Sequence, residues 1–206
     1  MYSIASPTQA RSKKALERFL NAAADLLASN QFEETGISQI AQLAESSVGT
    51  FYRLLGDKDV LLYAVHERFV EQSRAAVNAL LDDLAREALP LDAQVEAFIR
   101  GVVGLFEGSE GLLRALIRRS SMDPQFRQRF HQLNAYIGQA FGRIVLHHRD
   151  HLRHPSPEQA ADLSAHMLLS GLNYFTMVGS LGATPREVLP AELSRMICNY
   201  LQVTQS

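Results

Sequence analysis

Apolar residues recur at helical spacing along most of this chain. Leu16, Phe19, Leu20, Ala23, Leu26 and Leu27 fall at i, i+3 and i+4 and predict a first helix ending near Ala28. Two short apolar sets follow, over 37–44 and about 48–54. A long amphipathic run from about 57 to 87 carries Val60, Leu61, Ala64, Val65, Phe69, Val77, Leu80 and Leu84 on one face. Val95, Phe98, Ile99, Val102, Val103 and Phe106 mark the next helix, and further periodic segments cover 112–119, 125–148, 158–181 and 189–203. No stretch alternates between apolar and polar residues as a half-buried strand does. The pattern predicts an all-α fold of about nine helices.

Turn residues sharpen the boundaries. Asp123-Pro124 places a capping carboxylate before a proline suited to the first helical position. Ser156-Pro157-Glu158-Gln159 repeats that signal and adds a capping-box glutamine, and Thr184-Pro185-Arg186-Glu187 reads as a third helix start.

The segment from Phe32 to Leu62 carries the most information. Ile37, Ile40, Ala41 and Ala44 form one inward face of a short helix. Glu45-Ser46-Ser47 breaks the pattern, and a second short helix runs from about Val48 to Leu54 with Phe51 inward. Asp57 caps the helix that follows, with Lys58 in its first turn. Two short helices joined by a tight turn are the helix-turn-helix geometry. The second helix directs Ser47, Thr50, Tyr52 and Arg53 outward. Hydroxyls and helix N-terminal N–H groups suit phosphate oxygens, and Lys58 can neutralise a flanking phosphate.

These residues resemble the DNA-binding head of the tetracycline-repressor (TetR) family. The match is carried by Phe32, Thr35, Ile40-Ala41, Ala44, Ser47, Gly49-Thr50-Phe51-Tyr52, Lys58-Asp59 and Leu61-Leu62 at matching spacing, over about fifty residues with the first helix. The resemblance implies DNA contact by Thr35, Ser38, Ser47, Val48, Gly49, Thr50, Tyr52, Arg53 and Lys58. The chain departs from the pattern in the turn: the usual glycine is Glu45, and the apolar residue after it is Ser46. Either Glu45 takes a left-handed conformation, at about 1 kcal/mol, or the turn is reshaped. The exit from the second helix, Arg53-Leu54-Leu55, also departs, and Gln31 replaces a glycine before Phe32.

The resemblance also organises the remainder. It implies a flexible tail at 1–10, a DNA-binding domain at 11–57 and a ligand-binding and dimerisation domain at 58–206. In such regulators the last two long helices pair across a two-fold axis, which here assigns Leu168, Leu172, Phe175, Ile197 and Leu201 to a homodimer interface. An effector pocket between the preceding helices has Phe98, Phe106, Tyr136, Phe141, His166, Asn173 and Tyr174 available to it. The implied function is a cytoplasmic transcriptional regulator, a repressor that a small-molecule effector releases from a palindromic double-stranded DNA operator. The alternative is a helical ligand-binding or protein-interaction module whose head no longer binds DNA.

Charge qualifies this picture. Net charge is −2 over 206 residues, and residues 11–62 hold six Lys or Arg against seven Asp or Glu. Any basic footprint is therefore local, from Arg11, Lys13 and Lys14 at one end and Arg53 and Lys58 at the other. The single cysteine, Cys198, excludes an intramolecular disulfide and reads as a packed thiol. His147, His148, His151 and His154 cluster beside Arg149, Asp150 and Arg153; they read as a solvated helix end rather than a metal site. Arg118-Arg119 and Arg127 with Arg129 read as surface. No metal or cofactor is expected, no apolar run reaches membrane-spanning length, and no phosphate loop, GxSxG or HExxH suggests an enzyme.

Overall fold

The computed structural model describes residues 10–87 and 89–204. Among them run nine α-helices: α1 (Ala10–Ala28), α2 (Ile37–Leu43), α3 (Val48–Leu54), α4 (Lys58–Arg86), α5 (Leu91–Leu105), α6 (Glu110–Met122), α7 (Pro124–His147), α8 (Pro157–Val178) and α9 (Leu189–Leu201). A 3-10 turn, Arg149–His151, follows α7. The fold is all-α, as the periodicity predicts. Of the tail expected at 1–10, residues 1–9 lie outside the described residues, and Ala10 already belongs to α1.

The helices group into two compact units. One comprises the chain as far as Glu71 together with Gly108–Arg127; the other comprises Gln72–Glu107 and Gln128 onward. This grouping differs from a linear division at 57/58. Helix α4 continues well past that point, and α6, distant in sequence, packs on α1.

The first unit is centred on Phe19, Ile40, Phe51, Leu61 and Leu62, all essentially inaccessible to solvent. Phe19 and Phe51 meet edge to face with centroids 5.4 Å apart, an arrangement that adds to the burial of both rings. A Cβ at Gly111 would stand 2.7 Å from the carbonyl oxygen of Ala28, so only glycine lets the start of α6 approach the end of α1 this closely. In the second unit α5 packs along α9. Helix α5 buries Val95, Phe98, Ile99 and Val102, and α9 buries Leu193, Ile197 and Leu201.

Helix ends follow recognisable chemistry. Asp57 accepts from the Val60 N–H at 2.7 Å, and Asp123 accepts from Gln125 and Phe126 at 2.9 and 3.3 Å, as the sequence predicts. Two expected starts differ. The Ser156 side chain makes no cap; its backbone N–H donates to His154 Nδ1 at 3.1 Å, taking the group that a capping-box Gln159 needs. Helix α9 begins at Leu189, where the 189–203 periodicity begins, and not at the Pro185 signal. A helix begun at Pro185 would hold Pro190 in its interior, without an N–H for the ladder.

Three helices close through a non-glycine residue at positive φ: Asn30 after α1, Glu45 after α2 and Gln202 after α9. Each closure has the Schellman pattern. At α1, Gln31 N–H reaches Leu26 O at 2.8 Å and Asn30 N–H reaches Leu27 O at 3.1 Å. At α2, Ser46 N–H reaches Ala41 O at 2.9 Å and Glu45 N–H reaches Gln42 O at 3.0 Å.

Candidate nucleic-acid interface

The α2–α3 turn keeps its shape with Glu45 in it. Glu45 has φ +46°, the left-handed conformation that glycine adopts without strain, and its 84% exposed side chain pairs with Arg18 at 3.8 Å. Two residues later Ser47 caps α3. Its Oγ accepts from the Thr50 N–H at 3.2 Å and also meets Thr50 Oγ1 at 2.9 Å. Phe51 and Leu54 bury one face of α3, while Val48, Gly49, Tyr52 and Arg53 are exposed on the other. The Tyr52 ring rests edge-on against Phe51, which leaves its outer end in solvent.

The structure exposes most of the expected contact residues and gives several of them internal partners. Ser38 is exposed near the start of α2. Thr35 is buried, and its hydroxyl donates to Gln31 O at 2.8 Å, so it shapes the loop before α2. Arg53 Nη1 lies 3.5 Å from Ser12 Oγ and links α3 to the basic start of α1. Lys58 donates to the Glu33 carbonyl at 2.8 Å and lies over the Phe32 ring, 4.8 Å from its centroid. From Ser38 to Lys58 the segment therefore carries hydroxyls, a phenol, a guanidinium and an ammonium, on α2, on the capped α3 and at the start of α4. That donor set suits phosphate oxygens and base edges in a major groove.

The chain superimposes on several solved structures over more than nine-tenths of its length. A TetR-family transcriptional regulator from Mesorhizobium loti matches with a TM-score of 0.71 at 20% identity, over 94% of this chain and 96% of that one. The TetR-family regulator PfmR from Thermus thermophilus matches with a TM-score of 0.67 at 19% identity, over 92% and 100%. GusR from Salmonella enterica gives 0.67 at 18%, over 91% and 95%. The fold is that of the TetR-family regulators. No family model and no curated protein matches the chain by sequence.

Within the TetR-like fold, the residues assigned to an effector pocket separate into different surroundings. Phe98 and Phe141 are buried and touch, with centroids 5.7 Å apart. Tyr136 donates to Asn78 Oδ1 and lies under Arg74. Phe106 and Asn173 are half-buried. His166 is exposed beside Asp162, and Tyr174 is exposed. A groove of about 920 Å³ in the second unit runs instead past Asp92, Glu96, His148, Ser194 and Cys198, and none of the seven lines it.

The residues assigned to a dimer face divide likewise. Leu168, Ile197 and Leu201 are buried in the chain's own core, and Leu172 and Phe175 are half-buried. A fully buried side chain offers no area to a second copy. The exposed apolar side chains of α8 are Leu163, Met167, Tyr174 and Val178, at spacings of four, seven and four; α9 adds Met196 and Tyr200. Periodicity hides this division, because core and partner faces are both apolar.

Other candidates settle into structural roles. Arg127 donates to the carbonyls of Ser120 and Ser121 at the end of α6, at 3.1 and 2.9 Å. Burial raises the Cys198 thiol pKa; a hydrogen bond with Ser194 opposes that and the Asp92 charge adds to it. Burial, then the neighbouring His147 and His151, lower the His148 pKa. Among the described residues no three His, Cys, Asp or Glu side chains gather as metal ligands, and no helix is long and apolar enough to cross a membrane.

Proposed function

We propose that this protein is a transcriptional regulator of the TetR type, a homodimer whose heads bind a palindromic DNA operator and which a small-molecule effector releases. The observation that carries this reading is the α2–turn–α3 unit. Its recognition helix is capped by Ser47, anchored by Phe51 and Leu54, and exposes Val48, Gly49, Tyr52 and Arg53. The exposed heptad-spaced stripe on α8, with Met196 and Tyr200 on α9, supports self-association, since one apolar patch repeated by a two-fold axis covers itself. Such a pair presents two recognition helices to successive major grooves. An effector acts by binding the DNA-free arrangement better than the DNA-bound one, a coupling of about 1–3 kcal/mol. The setting that accompanies a DNA target in a bacterial-type regulator is the cytoplasm.

The direct test is fluorescence anisotropy of the full chain with duplex DNA from upstream of its own coding region. Saturable binding, weakened in Tyr52→Ala and Arg53→Ala, supports the reading. Absence of binding at low salt favours a ligand-binding module whose head has lost DNA recognition.

A further inference from the structure

We infer that Arg118 and Arg119 of α6 are positioning residues for the DNA-facing edge of the head, acting through the loop that joins α1 to α2. This rests on the regulator reading above. The loop runs from Ser29 to Gly36 and leads directly into α2. Helix α6 holds it at two points. Arg118 Nη2 donates to Asn30 Oδ1 at 2.9 Å, at the residue whose positive φ ends α1. Arg119 Nη1 reaches Glu33 Oε1 at 3.4 Å.

Glu33 is gripped at both ends. Arg119 takes its carboxylate, and Lys58 takes its backbone carbonyl at 2.8 Å. Lys58 is one of the cations expected at DNA, so the arginine on α6 and the lysine at the DNA edge share one loop residue. Arg119 is itself braced. It lies over the Phe126 ring and 3.9 Å from Asp123, which also accepts the Tyr63 hydroxyl at 2.9 Å. Asn30, Phe32 and Glu33 of the loop, with Arg118 and Arg119, line an open pocket of about 180 Å³. Phe32 seats the middle of the loop in the core, and the polar contacts fix Asn30 and Glu33 on either side of it. Single exposed pairs are weak; here two arginines and a lysine act on one short segment. Any displacement of α6 relative to α1 is thereby passed to the start of α2 and to Lys58.

The test uses the full chain with the upstream duplex, read by anisotropy, and amide hydrogen exchange across residues 31–36 without DNA. Arg118→Ala, Arg119→Ala and Glu33→Ala are each expected to weaken DNA binding about 3- to 10-fold and to speed exchange in 31–36, while exchange in α3 stays unchanged. The charge-swapped pair Arg119→Glu with Glu33→Arg is expected to recover binding, which a merely structural loss does not. If Arg119→Ala unfolds, Arg119→Gln replaces it. Wild-type-like DNA binding by all three single variants overturns the inference. If the wild type itself binds no DNA, the regulator reading fails, and exchange in 31–36 decides whether Arg118 and Arg119 hold the loop: faster in the variants sustains that hold, unchanged removes it.

Discussion

Glu45 shows how much a single backbone angle decides. Its N–H and that of Ser46 satisfy the last carbonyls of α2 only if residue 45 is left-handed, and the chain meets that demand without glycine. The cost is about 1 kcal/mol, and an exposed pair with Arg18 returns little of it. Glu45→Gly is therefore expected to raise stability by about 0.5–1 kcal/mol, read as a higher midpoint in urea; a lower midpoint contradicts the strain argument. Ser47→Ala is expected to cost about 1 kcal/mol by freeing the Thr50 N–H, and Ser47→Gly only a few tenths. The sequence names candidate contact residues for the head but not their internal partners. Nothing in the spacing shows that the Thr35 hydroxyl turns to Gln31 or that Lys58 bonds the Glu33 carbonyl. Those contacts depend on how a loop returns on itself, which periodicity does not record.

At the scale of elements, Asp123 joins three structures. It caps α7, receives Tyr63 from α4 and lies near Arg119 of α6. Partial burial pushes its pKa up. The bonds from Tyr63, Phe126 and Gln125, with the Arg119 charge, outweigh that and hold it below the ordinary carboxylate value. A carboxyl whose pKa is depressed on folding contributes stability above its unfolded pKa and loses it as pH falls through the folded one. Asp123→Asn should thus lower the melting temperature at pH 7 and flatten its decline below about pH 4. An unchanged acid limb in the variant contradicts this linkage. Helix existence is legible throughout because amphipathic periodicity is set by burial. The start of α9 is less so: the Thr184-Pro185 signal and the 189–203 periodicity disagree, and the requirement that Pro190 stay in the first turn selects the second. The packing of α6 on α1 is not legible, since it depends on a missing Cβ at Gly111 far from α1 in sequence.

At the scale of the molecule, the proposed function joins a DNA-reading head to a self-associating, ligand-responsive body. The stripe of Leu163, Met167, Tyr174 and Val178 predicts a dimer in sedimentation at micromolar concentration, and Met167→Glu should shift it towards monomer with the helical circular dichroism retained. A wild type that sediments as a monomer contradicts the proposed interface. Everything else in the regulator reading depends on sequence-specific DNA binding by a head whose net charge is slightly negative. An anisotropy titration of the chain against its own upstream DNA and a scrambled duplex, across a salt series, decides whether that binding occurs. The expected outcome is tighter binding to the upstream duplex, a modest salt dependence set by the few cations near Arg53 and Lys58, and at least about a tenfold loss in Tyr52→Ala and Arg53→Ala. Equal affinity for the two duplexes, or variants that bind as the wild type does, would contradict it.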